Sequence, residues 1–295
     1  MRTGVTAVTI SSHGAAGIRQ PATFVREPDS IVAGVRNAQL DKYDALDRAV
    51  LAIGTDYPYG RMLAPHRHRR AQVLYGVGGV MDVTTRHGTW IVPPQRAVLI
   101  PPDTEHAVTM WGVSTQSLYI EPAAAPWFPT SCTVVDVSPL LRELLAAATE
   151  LPIDHAVRGR DATLMTLMLY EIARSTSLPL ELPVPADPAL RTQCEMFLRN
   201  PDIRTAPRWW AQALDVSERT VHRMFRHEMS MSVSQWQRRA CVLYAIRRLV
   251  AGDSVSTVAV DLGYATPSAF STMFHRVTGS APASFRSGRH TPGTR

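Results

Sequence analysis

Two sets of residues have types and spacings that could do chemistry: His66, His68, Gln72 and His106 in the first half of the chain, and Arg219, His222, Arg223 and Arg226 in the last third. In PHRHRRAQVLYGVGG the first two histidines stand two apart, so on a strand both rings point to one side, and IPPDTEHAV supplies a third imidazole. Three imidazoles can hold a divalent metal ion, although histidines on strands also serve as ordinary pocket or surface groups. SERTVHRMFRHEM carries a different pattern. At 3.6 residues per turn Val221, Met224 and Phe225 share one helix face, while Arg219, His222, Arg223 and Arg226 share another. The apolar stripe belongs against a core. The cationic stripe, with no acid interleaved, suits a polyanion, because arginine can give two hydrogen bonds to guanine O6 and N7. No Ser/His/Asp arrangement, phosphate-binding Gly loop or paired-carboxylate motif stands out.

The elements that must position these groups divide by texture. A chain of 295 residues, 45% hydrophobic and 19% charged, points to a folded protein of two ordinary-sized units. No apolar run approaches the ~20 residues needed to cross a bilayer. The first twenty-odd residues lack the apolar core of a secretory signal, so a cytoplasmic protein without membrane contact is expected. Cys132, Cys194 and Cys241 are odd in number and far apart, which argues for reduced, structural thiols. Charge is segregated: 15 of the 31 Lys and Arg but only 7 of the 25 Asp and Glu fall from residue 190 onward. That local basicity fits a nucleic-acid partner or a solvated surface.

Between about 60 and 122, AQVLYG, VMDVTT, TWIV, RAVLI, HAVTM and TQSLYI are short β-type segments separated by Gly and Pro turns, the pattern of a sandwich or small barrel. Ser138-Pro139 then opens a helix through LLRELLAAATE, and a second helix spans about 161 to 175. LMTLMLYEIA in the second is apolar almost all round and must be covered, by the β unit or by a dimer partner. SLPLELPVPADP, residues 177 to 188, has four prolines and little strand or helix pattern, and reads as a semi-rigid linker.

Beyond it the segment around Ser217 repeats at an offset of 49 residues. Val221 corresponds to Phe270, Met224-Phe225 to Met273-Phe274 and Trp236 to Phe285, and the outward positions map onto Ser268, Ser271, Thr272 and His275. Each copy reads as two short helices joined by a tight turn, the second helix offering its polar side outward. Residues 232 to 251 form one connecting helix of about 30 Å at ~1.5 Å per residue, close to the ~34 Å between successive major-groove faces.

AQALDVSERTVHRMFRHEM, SQWQRRA and DLGYATPSAFSTMFHRVTGSAPASFR resemble the DNA-binding domain of the AraC/XylS family of bacterial transcription regulators, over residues 190 to 287. The resemblance implies seven helices, two helix-turn-helix units, and outer helices that enter adjacent major grooves. Three positions depart from the family pattern: Asp215 replaces the usual glycine of the first turn, Ser230 the glycine that ends the first outer helix, and Cys241 an arginine of the connecting helix. The segment HRHRRAQVLYGVGGVMDVTTRHGTWIVPPQRAVLIPPDTEHAV resembles the cupin-like sensor domain of one branch of the same family, with Gln72 where a cupin metal site has glutamate. It implies a barrel that binds a small effector, with Tyr75, Trp90, Arg96, His106, Trp111 and Tyr119 as candidate walls.

The expected fold is thus an α+β multidomain chain. A tail (1–22) precedes a cupin-like β-barrel (23–130), a two-helix dimerisation segment (131–176), the proline-rich linker (177–189), an all-α domain with two helix-turn-helix units (190–287) and a second tail (288–295). The expected function is a sequence-specific transcription regulator, not an enzyme, that needs no cofactor. Its expected partners are double-stranded DNA, a small effector, a second copy of the chain and RNA polymerase. A metal-dependent cupin enzyme with an accessory nucleic-acid-binding domain is the alternative, and the duplicated unit weighs against it because catalysis needs no such repeat.

Overall fold

The computed structural model describes residues 40–156 and 158–286. The two expected tails, and the part of the expected barrel before residue 40, lie outside the described residues. Among the described residues, nine antiparallel strands build one curled sheet: β1 (Val50–His66), β2 (Ala71–Gly76), β3 (Val80–Thr85), β4 (Gly88–Val92), β5 (Arg96–Ile100), β6 (His106–Ile120), β7 (Thr133–Asp136), β8 (Ser177–Leu178) and β9 (Glu181–Pro183). Its order is β8-β7-β5-β2-β6-β3-β4-β9, with β1 also on β6.

Strand β6 is the axis of the curl. HAVTM and TQSLYI, separate segments in the sequence pattern, are its two halves. One half pairs with β2 (Ala71↔Ile120) and the other with β3 (Val80↔Trp111), so β2 and β3 lie end to end along one edge. The sheet forks where they part, toward β5 and β7 on one side and toward β4 and β9 on the other. Gly79 sits at the fork with φ +70°, and a Cβ there would fall 2.3 Å from the Gly112 carbonyl oxygen, so only glycine fits. The result is a half-barrel, in keeping with the expected cupin-like architecture, whose end strands β8 and β9 do not pair with each other.

Residues alternating along the strands separate two cores. Val73, Tyr75, Leu99, Leu118 and Val135 face α1 (Pro139–Thr149) and α2 (Arg160–Ala173), which cover that side with Leu141, Leu145, Met165 and Met168. The apolar character of α2 all round predicts that it is covered all round; instead Leu167 and Tyr170 remain exposed.

Two segments depart from their expected places. Residues 133–136, expected with the helices, are β7 on β5. The proline-rich segment, expected as a linker with little strand pattern, holds β8 and β9: β9 pairs with β4, Leu182 opposite Thr89. Its prolines are tolerated because β9 is an edge strand that needs few amide donors.

The last third contains α3 (Pro188–Arg199), α4 (Pro207–Ala213), α5 (Glu218–Met229), α6 (Val233–Val250), α7 (Val255–Asp261), α8 (Pro267–Thr278) and a 3-10 turn at Pro282–Phe285, seven helical elements in all among the described residues. Local chemistry sets their starts. Asp187, Ser217, Ser232, Ser254 and Thr266 each accept an amide hydrogen bond at an N-cap, and Ser232 with Gln235 closes a reciprocal capping box. The repeat is a packing repeat as well: Phe225 meets Trp236 at 5.9 Å between ring centroids, and Phe274 meets Phe285 at 5.1 Å. Asp215 (φ +51°) and Gly263 (φ +76°) take the same left-handed turn, as do Ser230 (φ +55°) and Gly279 (φ +73°) at the ends of α5 and α8. Both departures from glycine therefore keep the backbone conformation. Cys241 is fully buried, so a small apolar contact stands where the family has an arginine.

Helix α6 also rests on the sheet. Trp236 Nε1 donates to the Pro183 carbonyl of β9 at 3.1 Å, Arg239 pairs with Glu181 at 2.8 Å, and Arg247 Nε pairs with Asp82 of β3 at 3.1 Å. Glu228 of α5 accepts from the amides of Ala186 and Asp187, at 2.8 and 3.3 Å, where α3 begins.

Candidate nucleic-acid interface and barrel cavity

The outer helices present their expected residues to solvent. On α5, Val221 and Phe225 are buried while Arg219, His222, Arg223 and Arg226 are exposed. On α8, Phe270 and Phe274 are buried, Ser268, Thr272 and His275 are exposed, and Ser271 is half-buried. The hydroxyls of Ser271 and Thr272 donate to the carbonyls of Pro267 and Ser268 at 2.8 and 3.0 Å, bonds that can be exchanged for a groove partner at little cost. Arg204, Arg239, Arg247 and Arg248 of the same domain are each in ion pairs. Among the described residues none of Arg219, His222, Arg223 and Arg226 is so paired, although His227 on another side of α5 meets Glu228, which leaves that face with uncompensated positive charge.

The half-barrel lines a narrow cavity, partly open to solvent. Its apolar wall is Ile53, Leu63, Leu74, Val108 and Met110, and its polar wall is Thr55, Tyr57, His66, Gln72, His106, Ser117 and Tyr119. His66 closes β1 opposite His106 at the start of β6 (His66↔His106), and His68 lies in the turn after β1 and not on the same strand. Ring centroids of His66 and His106 are 4.3 Å apart, and those of His68 and His106 5.3 Å. Each ring is oriented by a backbone carbonyl at Nδ1: Ala64 for His66 (2.9 Å), Arg70 for His68 (2.6 Å) and Thr104 for His106 (2.8 Å). A carbonyl only accepts, so the proton sits on Nδ1 of His66 and His106 and their Nε2 atoms are left as donors of electron pairs, while His68 Nε2 faces the Gln72 amide. One nitrogen from each ring lies within 4.8 Å of the others.

His106 is buried, its Nε2 has no hydrogen-bond partner, and burial pushes its pKa down to about 4, so it is neutral at pH 7. Gln72 lies beside the cluster: its Oε1 is 3.1 Å from His68 Nε2, and its Nε2 donates to Ser117 Oγ and Tyr119 Oη at 3.4 and 3.2 Å.

Of the six residues expected to wall the pocket, His106 and Tyr119 do so. Tyr75 faces the opposite core, beneath α1 and α2. Arg96 pairs with Asp136 at 3.0 Å, Trp90 is packed in the core shared with α6, and Trp111 gives its Nε1 hydrogen to Asp82 at 3.0 Å. These four fail as lining because consecutive strand residues point to opposite faces, and aromatic type alone does not choose the face. Ile53, Thr55 and Tyr57 escape the sequence pattern with the rest of β1. Their i, i+2, i+4 spacing is the signal that finds them, obscured by Pro58 and Gly60 inside the strand. The three cysteines are buried, and burial raises the thiol pKa of Cys132 and of Cys241 to about 12, which leaves them inert.

Comparison with known proteins agrees with both halves. The family described as an AraC-like ligand binding domain matches residues 49–172, and a helix-turn-helix domain matches residues 210–288. The HTH-type transcriptional regulator NimR of Escherichia coli (strain K12) is 33% identical over 221 residues, 75% of this chain and 81% of that protein. The HTH-type transcriptional regulator RipA of Corynebacterium glutamicum is 32% identical over 107 residues, 36% of this chain and 32% of that protein. A crystal structure of ToxT from Vibrio cholerae O395 aligns over 81% of this chain and 99% of its own with a TM-score of 0.35 and 9% identity. With a sensor-type half-barrel at one end, a duplicated helix-turn-helix at the other, and a regulator related along most of its length, this chain belongs to the AraC/XylS family of transcriptional regulators.

Proposed function

We propose that Arg219, His222, Arg223 and Arg226 of α5 read bases in one major groove, and that Ser268, Ser271, Thr272 and His275 of α8 dock in the next. The observation that carries this reading is that Arg219, Arg223 and Arg226 share one exposed helix face with no carboxylate partner among the described residues, whereas Arg204, Arg239, Arg247 and Arg248 of the same domain are neutralised by carboxylates. Helix α6, 18 residues or ~27 Å long, supports a spacing near one turn of the duplex. The first unit supplies most of the base discrimination and the second mostly phosphate contacts. A binding-site selection with Arg223→Ala tests it. The variant should bind DNA but tolerate substitutions at one or two operator positions, each previously worth about 1–3 kcal/mol; an unchanged site preference refutes the assignment.

The barrel cavity is the effector site, and its occupancy biases how the DNA-binding domain is held against the sheet through α6. Two copies associate through α1 and α2, a reading supported by exposed Leu140, Leu167 and Tyr170, so that paired operator half-sites are bound with the gain that tethering confers. Light scattering on the free and DNA-bound protein checks the stoichiometry. RNA polymerase is the partner through which a bound regulator acts, and the cytoplasm is where it meets the operator.

The barrel acts as a sensor, a reading supported by its match to a ligand-binding domain and by relatives that are transcriptional regulators. The three imidazoles fit a divalent ion, since each ring's Nδ1–H is fixed by a backbone carbonyl and the orphaned Nε2 of His106 is aimed into the cluster. His66, His68 and His106 would hold it, and it would supply positive charge at the cavity floor.

A further inference from the structure

We propose that the effector is a small organic anion that binds on the divalent metal held by His66, His68 and His106; the inference rests on the metal-holding reading of the barrel given above. Charge bookkeeping within the cavity carries it. Three neutral imidazoles leave a divalent ion with both of its charges. The residue beside them, Gln72, is neutral as well, and it is tied to the hydroxyls of Ser117 and Tyr119. Glu105, next to His106 in the chain, is exposed and paired outward with Arg67 at 3.5 Å, so it does not neutralise the cluster. The remaining wall offers only uncharged groups, the hydroxyls of Thr55, Tyr57, Ser117 and Tyr119 and the aliphatic side chains of Ile53, Leu63, Leu74 and Val108 with Met110. A double charge that no anionic side chain compensates is costly, and an anion arriving from solvent removes most of that cost.

The space available matches a small molecule with one charged end. The cavity is narrow and partly open to solvent, so it admits a compact charged group and leaves the rest of a small ligand toward its mouth. The anionic group would sit at the imidazoles with Tyr119 and Ser117 beside it, and the body of the molecule would lie along the aliphatic strands. The substitution of glutamine for a carboxylate ligand then has a purpose: it keeps the positive charge that the effector must meet.

The test uses the full-length protein stripped of metal and titrated with Co2+ alone. Its visible absorption reports coordination, and elemental analysis reports stoichiometry. Azide and benzoate are then added as anionic probes, with benzamide as the neutral isostere of benzoate. One Co2+ per chain is expected, with an absorption change on adding azide or benzoate. Benzoate binding should be at least tenfold tighter with Co2+ than without, and at least tenfold tighter than that of benzamide. Gln72→Glu should bind Co2+ more tightly and lose at least tenfold in benzoate affinity. His66→Ala, at an exposed position, should lose Co2+ while melting like the metal-free parent.

Absence of Co2+ binding at the cluster overturns the metal reading itself. Co2+ binding with no spectral response to azide or benzoate overturns the anion inference and leaves the metal reading standing. Equal affinity for benzoate and benzamide, or benzoate binding that ignores the metal or the Gln72→Glu change, overturns the anion inference as well.

Discussion

Replacing Asp82 with asparagine should loosen the DNA-binding domain from the half-barrel without touching the DNA face or the cavity. Asp82 accepts from Trp111 Nε1 at 3.0 Å and from Arg247 Nε at 3.1 Å, and its side chain is only 11% exposed, against 41% for Arg247. Asparagine preserves shape and can still accept from Trp111, so the change isolates the charge. A hydrogen bond to a charged group contributes about 1.5–3 kcal/mol when buried, and exposed pairs contribute about 0.2–1 kcal/mol. One buried and one half-exposed partner place this bond at about 1–2 kcal/mol, or roughly 5- to 30-fold in the ratio of docked to released domain. The three native cysteines are buried, so spin labels attach selectively at Arg86→Cys in the β3–β4 turn and Arg276→Cys on α8, both exposed. Electron–electron distance measurements in mild urea then count the two populations. Asp82→Asn and Arg247→Gln should each lower the docked fraction, and the double variant should add little to either. Additive effects, with a coupling below about 0.3 kcal/mol, would refute the idea that this pair joins sensor to reader.

Three further outcomes follow from local geometry. Ser230→Gly removes the cost of a left-handed serine at the α5 C-terminus (φ +55°) and should raise stability by about 0.5–1 kcal/mol, read as a higher unfolding midpoint with DNA affinity unchanged. Gly79→Ala puts a methyl group 2.3 Å from the Gly112 carbonyl oxygen at a positive φ, and should cost several kcal/mol, seen as loss of soluble full-length protein. Glu228 is held below the ordinary carboxylate range by the amides of Ala186 and Asp187, so it contributes stability above its unfolded pKa and loses it as pH falls through the folded value. Glu228→Gln should therefore lower thermal stability at pH 7 and converge with the parent in acid, as followed by melting curves across pH.

What could be read from the chain and what could not separates by the distance over which each signal acts. Helices α4 to α8 were legible because caps, stripes and the 49-residue repeat are decided within a turn or two of each residue. Even the altered turns at Asp215 and Ser230 kept their left-handed backbone. The strands between Gly and Pro turns were legible for the same reason, but β1 and β9 were not. Each contains proline, and each is a strand only because of a distant neighbour: Val50 pairs with Ile120, and Trp90 pairs with Glu181. The histidine cluster shows both sides. Its residue types were plain, but a shared strand is not what assembles it, since His68 lies in a turn and the register of β1 on β6 brings His66 to His106.

The contacts that join the two halves sit at the far end of this scale. Arg247 and Asp82 are 165 residues apart, and Arg239 and Glu181 are 58 apart, with nothing in the flanking sequence to mark either as a pair. A regulator needs its sensor and reader to influence one another, so these long-range contacts, invisible to pattern reading, are where such influence would be transmitted. Arg239 and Arg247 of α6, which look in sequence like further DNA-directed cations, are spent instead on holding β9 and β3. Part of the basic surplus beyond residue 190 is thus spent on binding the chain to itself, while Arg219, Arg223 and Arg226 on α5 are left for a partner, and only the pairing of each guanidinium tells the two apart.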